Sequence, residues 1–363
     1  VAGVIGLPIE ALDTPALLLD GPGSERNIRK MADFFRGRTC QLRPHFKNHK
    51  CTKLARRQLE AGSAVGITCA KLGEAEVLAD AGFDDVLVAN QVVGAPKLQR
   101  LVDLARRMEK LRVAVDHIDH ALAISKAAGR GEVVIGVLVE VEIGMGRCGV
   151  PPGKPALELV QQVAELKGLR FDGLQAYEGH LVGVPDVDER RRRTTEAMRQ
   201  AIETRQLIED AGIPVRVVSG GSTSTYAITG LINGVDEVQA GTYPTMDTMY
   251  HRLTPEFELA LSVLARVISR PRPSVAVLDV GLKGLGSEFG PPQARELLGA
   301  ETRYSLAEEH CIVKGAPDWQ IGQAIELIPS HACTTCNLYR QLHVHEQGRV
   351  ADVWPIEASG RLT

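Results

Sequence analysis

No stretch of this 363-residue chain approaches the roughly 18 uninterrupted apolar residues that a membrane-spanning helix needs, so no such span is expected. A basic run is also missing. The 42 Lys and Arg are set against 45 Asp and Glu for a net charge of −3, which leaves no footprint for nucleic acid. The opening Val1-Ala2-Gly3-Val4-Ile5-Gly6 has no basic n-region, which argues against a secretory signal. No initiator Met precedes it, so a trimmed start is expected, and the cytoplasm is the default compartment. Cysteines are few and odd in number, seven without compact spacing, which fits reduced thiols rather than a disulfide framework. Internal repeats and low-complexity tracts are absent.

What is present is an ordinary globular composition, 44% hydrophobic and 24% charged, at a length where one core nears its limit and two domains are expected. From Gln41 to Tyr243, short runs rich in Val, Ile and Leu alternate with amphipathic stretches, the pattern of parallel strands joined by helices. The strand candidates are residues 42–47, 66–69, 86–89, 112–116, 137–141, 173–177, 215–218 and 237–240. Helices are expected at 52–61, 72–81, 96–107 and 188–211. Eight such units suit a closed (β/α)8 barrel, with its chemistry at the C-terminal ends of the strands. An open doubly wound sheet usually has fewer strands and a Gly-rich first turn. The strand Ala16-Leu17-Leu18-Leu19-Asp20 is left over. Beyond about Thr254-Pro255, strands at 259–269, 275–280, 324–329, 339–345 and 350–356 are separated by Gly, Pro and polar turns. They indicate a mostly antiparallel second domain. The expected boundaries are 21–250 for the barrel, with 1–20 and 251–363 forming the β-rich domain.

The densest chemical cluster is Arg43-Pro44-His45-Phe46-Lys47-Asn48-His49-Lys50. In a strand Arg43, His45 and Lys47 would share one face. If that face looks into the barrel mouth, burial lowers the Lys47 pKa toward the neutral nucleophile of Schiff-base chemistry; otherwise the segment is a solvated basic strand end. Ser219-Gly220-Gly221-Ser222-Thr223-Ser224-Thr225 and Ala240-Gly241-Thr242-Tyr243 follow late strands. They offer backbone N–H groups and hydroxyls where barrel phosphate sites commonly lie. With an amine on the first strand they imply a phosphorylated aldehyde cofactor. In Ser330-His331-Ala332-Cys333-Thr334-Thr335-Cys336, His331 and Cys333 would point the same way if the segment were extended, and together suit Zn²⁺. A surface His beside a packed Cys would explain the spacing equally well. Cys336 reads as a core residue rather than a further ligand. Two protein ligands leave positions open, which marks a reactive metal. Arg147, after the fifth strand, could hold a phenolate or carboxylate, and Tyr177, Glu178 and His180, after the sixth, are acid–base candidates.

These residues resemble the D-threonine aldolase and D-serine dehydratase family, pyridoxal-phosphate enzymes with the alanine-racemase-like fold (fold type III). The resemblance runs nearly end to end. It is most specific in the Arg-Pro-His-x-Lys block at 43–47 and the His-x-Cys at 331–333. It implies that Lys47, not Lys50, forms the Schiff base and that Arg147 contacts the cofactor ring oxygen. Ser222, Thr223, Gly241 and Thr242, with Tyr177 and Tyr243 nearby, would hold the cofactor and its phosphate. His331 and Cys333 would bind the metal, Zn²⁺ first, with Mn²⁺ or Mg²⁺ as alternatives. The resemblance also implies that the spare N-terminal strand joins the second domain and that the enzyme is a homodimer. Aldolase-like members usually have His-x-Asp at the metal, whereas the dehydratase branch has His-x-Cys, as here. Against that, Gln175-Ala176-Tyr177 and Cys336-Asn337-Leu338 look aldolase-like. Aldolases typically place a His after that Tyr; this chain has Glu178, so Glu178 or His180 must stand in as proton-transfer group. The expected activity is cleavage of a D-3-hydroxy amino acid such as D-threonine to glycine and an aldehyde. Dehydration of D-serine or D-3-hydroxyaspartate to a 2-oxo acid and ammonia is the alternative. A racemase is a weaker rival, because it gives His331 and Cys333 no role.

Overall fold

The structure is a computed structural model that describes residues 2–363, and these fall into two compact units. One comprises residues 31–47, 54–241 and 361–363; the other comprises the chain up to residue 30 with 48–53 and 242–360.

All eight expected parallel strands appear in the first unit. Their order is Gln41–Leu42, Glu237–Val238, Val217–Gly220, Leu169–Ala176, Ile135–Glu140, Lys110–Val115, Asp85–Gln91 and Ile67–Cys69. Parallel bridges from Leu42 to Ala64 and from His45 to Thr68 link the two ends of this order, so the sheet closes on itself. The Thr68 N–H donates to Pro44 O at 2.8 Å and the Phe46 N–H to Thr68 O at 2.7 Å. The helices lie outside, so the strands are buried on both faces; every residue of Ile135–Glu140 is buried. Asp186 caps the longest helix, Val187–Asp210, by accepting from the Glu189 N–H at 2.7 Å.

The first barrel strand is shorter than expected, ending at Leu42 before Pro44, which has no N–H to give a ladder. Backbone pairing nevertheless runs on, the Arg43 N–H donating to Val238 O and the His45 N–H to Ala240 O. The Arg43 side chain does not join Lys47 at the barrel mouth; it turns to the opposite end, where strands begin. Its guanidinium bonds Glu237 at 2.7 and 2.8 Å and Asp85 at 2.7 Å. Arg112 continues the network from Asp85 to Asp172. This layer of buried charge fills the N-terminal end, leaving the C-terminal end for chemistry.

The second unit is a sheet in the order Arg303–Leu306, Cys311–Lys314, Val275–Leu278, Leu261–Arg272, Ala16–Asp20, Gln341–Glu346 and Arg349–Pro355. Ala324–Ile328 pairs with Leu261–Arg272 and carries Gln293–Ala294 on its other edge. All pairings are antiparallel except Ala16–Asp20 with Gln341–Glu346, so the spare N-terminal strand is a central member of this sheet. Ile9, Leu12, Ala16, Leu18, Leu264, Val350 and Val353 form a core cluster here. Three short strands, Gln293–Ala294, Arg303–Leu306 and Cys311–Lys314, were not expected, because their few apolar residues are too short a run to signal a strand.

The division of units also departs from the expected boundaries. The start of the helix Gly21–Phe35 goes with the β-rich unit because Arg26 and Asn27 bond Glu258. Residues 48–53 do so because Lys50 O accepts from the Ala358 N–H and Thr52 bonds Glu357. Among the described residues no helix is long and apolar enough to cross a membrane.

Candidate active site

In the barrel, the C-terminal ends of the strands gather the expected polar side chains. Lys47 is half-buried, with Nζ 5.9 Å from the centroid of the Tyr177 ring. The Arg147 guanidinium carbon lies 5.5 Å from the same ring. A shallow depression is lined here by Glu140, Glu142, Met145, Arg147, Cys148 and Tyr177 among others. Sequence reasoning missed Glu140. It ends its strand fully in the barrel, accepts from Gln91 Nε2 at 2.6 Å and lies 3.6 Å from Arg147 Nη2. Burial raises its pKa, with Gln91 and Arg147 working against that rise. Its position at the end of an all-apolar strand run was the available signal.

Beside the depression, Glu142 Oε1 accepts from the Gly144 and Gly146 N–H groups, both at 2.8 Å, and these bonds hold its carboxyl below the usual range. His180 packs over this turn. A Cβ on Gly144 would lie 2.8 Å from its Nε2, and Gly144 has φ +119°, so glycine is required there on both counts. Partial burial lowers the His180 pKa, aided by Arg193 and opposed by Glu142 and Glu178. The imidazole is exposed.

Glu178 differs from that expectation. It is 0% exposed and both its oxygens are taken: Oε2 by the Gly221 N–H at 3.0 Å, Oε1 by the hydroxyls of Thr225 at 2.8 Å and Thr229 at 2.6 Å. Thr225 Oγ1 in turn accepts from the Ser222 N–H and lies 3.0 Å from Ser222 Oγ. The Gly-rich turn is therefore folded around the carboxylate. Gly221 has φ +78° and no room for a Cβ, which would meet Val238 at 2.9 Å. Ser222 and Thr223 are buried in this turn, and Gly241 closes the next strand's exit. A tight turn of glycines and hydroxyls after a barrel strand is the cradle that a phosphate monoester needs, so the residues fit the expected cofactor.

Thr242 and Tyr243 belong to the β-rich unit, where Thr242 O accepts from the Thr245 and Met246 N–H groups. The same unit holds His331 and Cys333 at the head of the short helix Ala332–Cys336. The segment is helical from Ala332 rather than extended, yet the two side chains still meet: they are hydrogen-bonded to each other. Burial opposes the imidazolium, but Cys333 and Asp247 outweigh it and push the His331 pKa up to about 11. His331 Nδ1 is committed to Asp247 at 3.0 Å, which leaves Nε2 for a cation. An imidazole nitrogen beside a thiolate is a donor set suited to Zn²⁺. Cys336 is 1% exposed, and burial keeps its thiol well above its ordinary pKa, as for a core residue. Among the described residues no group of three or more His, Cys, Asp or Glu could hold a metal, so the pair stands alone.

Residues 23–248 match the alanine racemase N-terminal domain and residues 260–345 a putative serine dehydratase domain. The chain is similar to D-threonine aldolase of Arthrobacter sp., with 38% identity covering 98% of this chain and 95% of the relative. The chain belongs to the D-threonine aldolase and D-serine dehydratase family. As a member it is a pyridoxal-phosphate-dependent lyase. A solved D-threonine aldolase from Filomicrobium marinum is similar across the whole of both chains, at 38% identity and TM-score 0.95. The D-threo-3-hydroxyaspartate dehydratase of Delftia sp. HT23 covers 96% of this chain and 98% of its own at 29% identity, with TM-score 0.81. Solved variants of that dehydratase replace a histidine and, two positions later, a cysteine with alanine; the cysteine variant is in a metal-free form.

Proposed function

We propose that this lyase cleaves D-3-hydroxy amino acids of the D-threonine type to glycine and an aldehyde, using pyridoxal phosphate and a divalent cation, Zn²⁺ first. The observation that carries this reading is the full-length similarity to D-threonine aldolases, in sequence and in fold, on a chain that sets Lys47 near the Tyr177 ring and carries a turn of glycines and hydroxyls after a later barrel strand. When bound, the cofactor supplies an electron sink for a bond broken at Cα, and the cation supplies a Lewis acid at the β-hydroxyl.

The chain's own residues have separable tasks. Lys47 would provide the amine for the cofactor aldehyde. Arg147 would face the ring oxygen, and Tyr177 and Tyr243 would help hold the cofactor. Ser222, Thr223, Gly241 and Thr242 would donate to the phosphate. His331 and Cys333 would hold the cation through Nε2 and Sγ. His180 would accept the β-hydroxyl proton as the Cα–Cβ bond breaks, and that proton, returned to Cα, would complete glycine. Glu178 is assigned to bracing the phosphate turn, because its carboxylate has no free oxygen for proton transfer. We also take the enzyme to be a cytoplasmic homodimer; size-exclusion chromatography with light scattering tests the assembly.

The second reading, dehydration, is favoured by the His-x-Cys pair, which matches the spacing of the residues replaced in the Delftia enzyme. One assay separates them. Metal-replete enzyme is incubated with D-threonine and with D-serine. Glycine with acetaldehyde is expected; 2-oxo acid and ammonia without glycine would defeat the aldolase reading. Lys47→Ala is expected to abolish the cofactor's absorbance band above the free-aldehyde background, and chelation to abolish turnover.

A further inference from the structure

We infer that Asp247 and Asn48, to which no role was assigned from the sequence, are positioning residues that preset the His331 and Cys333 donors for a divalent cation. The inference rests on the metal reading proposed above and adds what makes the pair competent.

Asp247 is 0% exposed, yet all its bonding capacity is directed. Oδ1 accepts from the Tyr250 N–H at 2.8 Å; Oδ2 accepts from the Ala332 N–H at 2.9 Å and from His331 Nδ1 at 3.0 Å. A carboxylate can only accept, so Nδ1 must carry a proton, and Nε2 is the nitrogen that gives up its own proton when a cation binds. The bond to Ala332 fixes the backbone at the helix start, and therefore where the Cys333 side chain projects. The residue before it, Met246, is fully buried with φ +54°, a left-handed conformation that a non-glycine residue keeps only where its surroundings impose it. Tyr250, stacked on the His331 ring at 6.1 Å, and Phe289, edge-on at 5.0 Å, restrict rotation of the imidazole.

The sulfur has a matching partner. Asn48, 0% exposed, places Nδ2 3.5 Å from Cys333 Sγ. The Thr245 hydroxyl donates to Asn48 Oδ1 at 2.7 Å, the shorter of its two acceptor contacts, the other being Thr242 O at 3.0 Å. With the amide oxygen on that hydroxyl, the NH2 group faces the sulfur. An N–H donor on a thiolate withdraws charge from it and leaves the bound cation a stronger Lewis acid. That is a means for a cysteine to serve where aldolase-like relatives usually carry an aspartate.

Cobalt(II) is the probe, added to the full chain with cofactor after chelation, and read by equilibrium binding and by the thiolate-to-cobalt charge-transfer band. Asp247→Asn is expected to weaken cobalt binding about 10- to 100-fold, because the amide NH2 would favour the wrong tautomer of His331. Asn48→Ala is expected to move the charge-transfer band to lower energy as the sulfur loses its donor. Asp247→Ser guards against a folding defect: its hydroxyl can still cap Tyr250 but cannot reproduce the carboxylate at His331, so it should weaken binding similarly. Wild-type cobalt affinity in a folded Asp247→Asn or Asp247→Ser protein overturns the role of Asp247, and an unmoved band in Asn48→Ala overturns that of Asn48. His331→Ala separates this from the underlying reading. If that variant binds cobalt as wild type does, the metal assignment itself fails; if it loses cobalt while the Asp247 variants keep it, only the positioning inference fails.

Discussion

Replacing Glu178 by Gln removes one charge and changes almost nothing else in size, so its consequence can be worked from the bonds. The carboxylate accepts from one backbone N–H and two hydroxyls. A glutamine keeps one acceptor oxygen. If that oxygen faces the two threonines, its NH2 group points at the Gly221 N–H, donor against donor. If the amide is turned round, Thr225 would have to accept from the NH2 group, but it already accepts from the Ser222 N–H and lies against Ser222 Oγ. Either arrangement leaves at least one buried donor without an acceptor and removes charge-assisted bonds, a loss of about 1–3 kcal/mol in stability. The loss falls on the turn that carries Ser222 and Thr223, so the affinity for pyridoxal phosphate should drop about 10-fold or more. Urea denaturation measures the first quantity and absorbance titration of the apoenzyme with cofactor the second. With cofactor saturating, kcat should recover most of its wild-type value and the pH–rate profile should keep both limbs. Unchanged stability and cofactor affinity, with one limb of the profile lost, would refute the bracing role and return Glu178 to proton transfer.

Arg43 at the base of the barrel supports a second prediction. Its guanidinium is 1% exposed against Glu237 and Asp85, so Arg43→Met should cost about 3–5 kcal/mol by leaving those carboxylates buried without their cation, read as a lower urea midpoint. No change in midpoint would mean that Arg112 and solvent compensate. Two histidines of the β-rich unit, the half-buried His343 and the buried His345, contribute a pH dependence. Burial lowers the pKa of His343 and of His345, and neither ring nitrogen of His345 has a hydrogen-bond partner. As pH falls below about 6.5 the unfolded chain takes up these protons before the folded protein does, so stability is present above that pH and is lost on acidification. Melting temperature should fall between pH 7 and pH 5, and less steeply in His345→Phe; equal slopes would remove His345 as the cause.

Much of the barrel was legible because parallel strands covered on both faces are nearly continuous apolar runs, as in Val137-Leu138-Val139, and their spacing betrays the helices between them. The family motifs likewise stand in the chain as written, Lys47 and the His331-x-Cys333 pair among them. Sequence could not tell where Arg43 would go: periodicity placed it with Lys47, but two carboxylates from distant strands, Glu237 and Asp85, draw the guanidinium to the other end. Nor could it separate Glu178 from a catalytic acid. That depended on whether the Thr225 and Thr229 hydroxyls fold back onto it, a long-range matter. Asp247 carries no local signature, and Asn48, though it stands in the basic block, has nothing beside it in sequence that ties it to Cys333. Local composition and periodicity thus determined the elements and the reactive residue types, because these depend on neighbours a few positions away. Which polar side chain faces which partner was decided only when the chain closed on itself, since a buried hydrogen bond takes its meaning from the atom opposite.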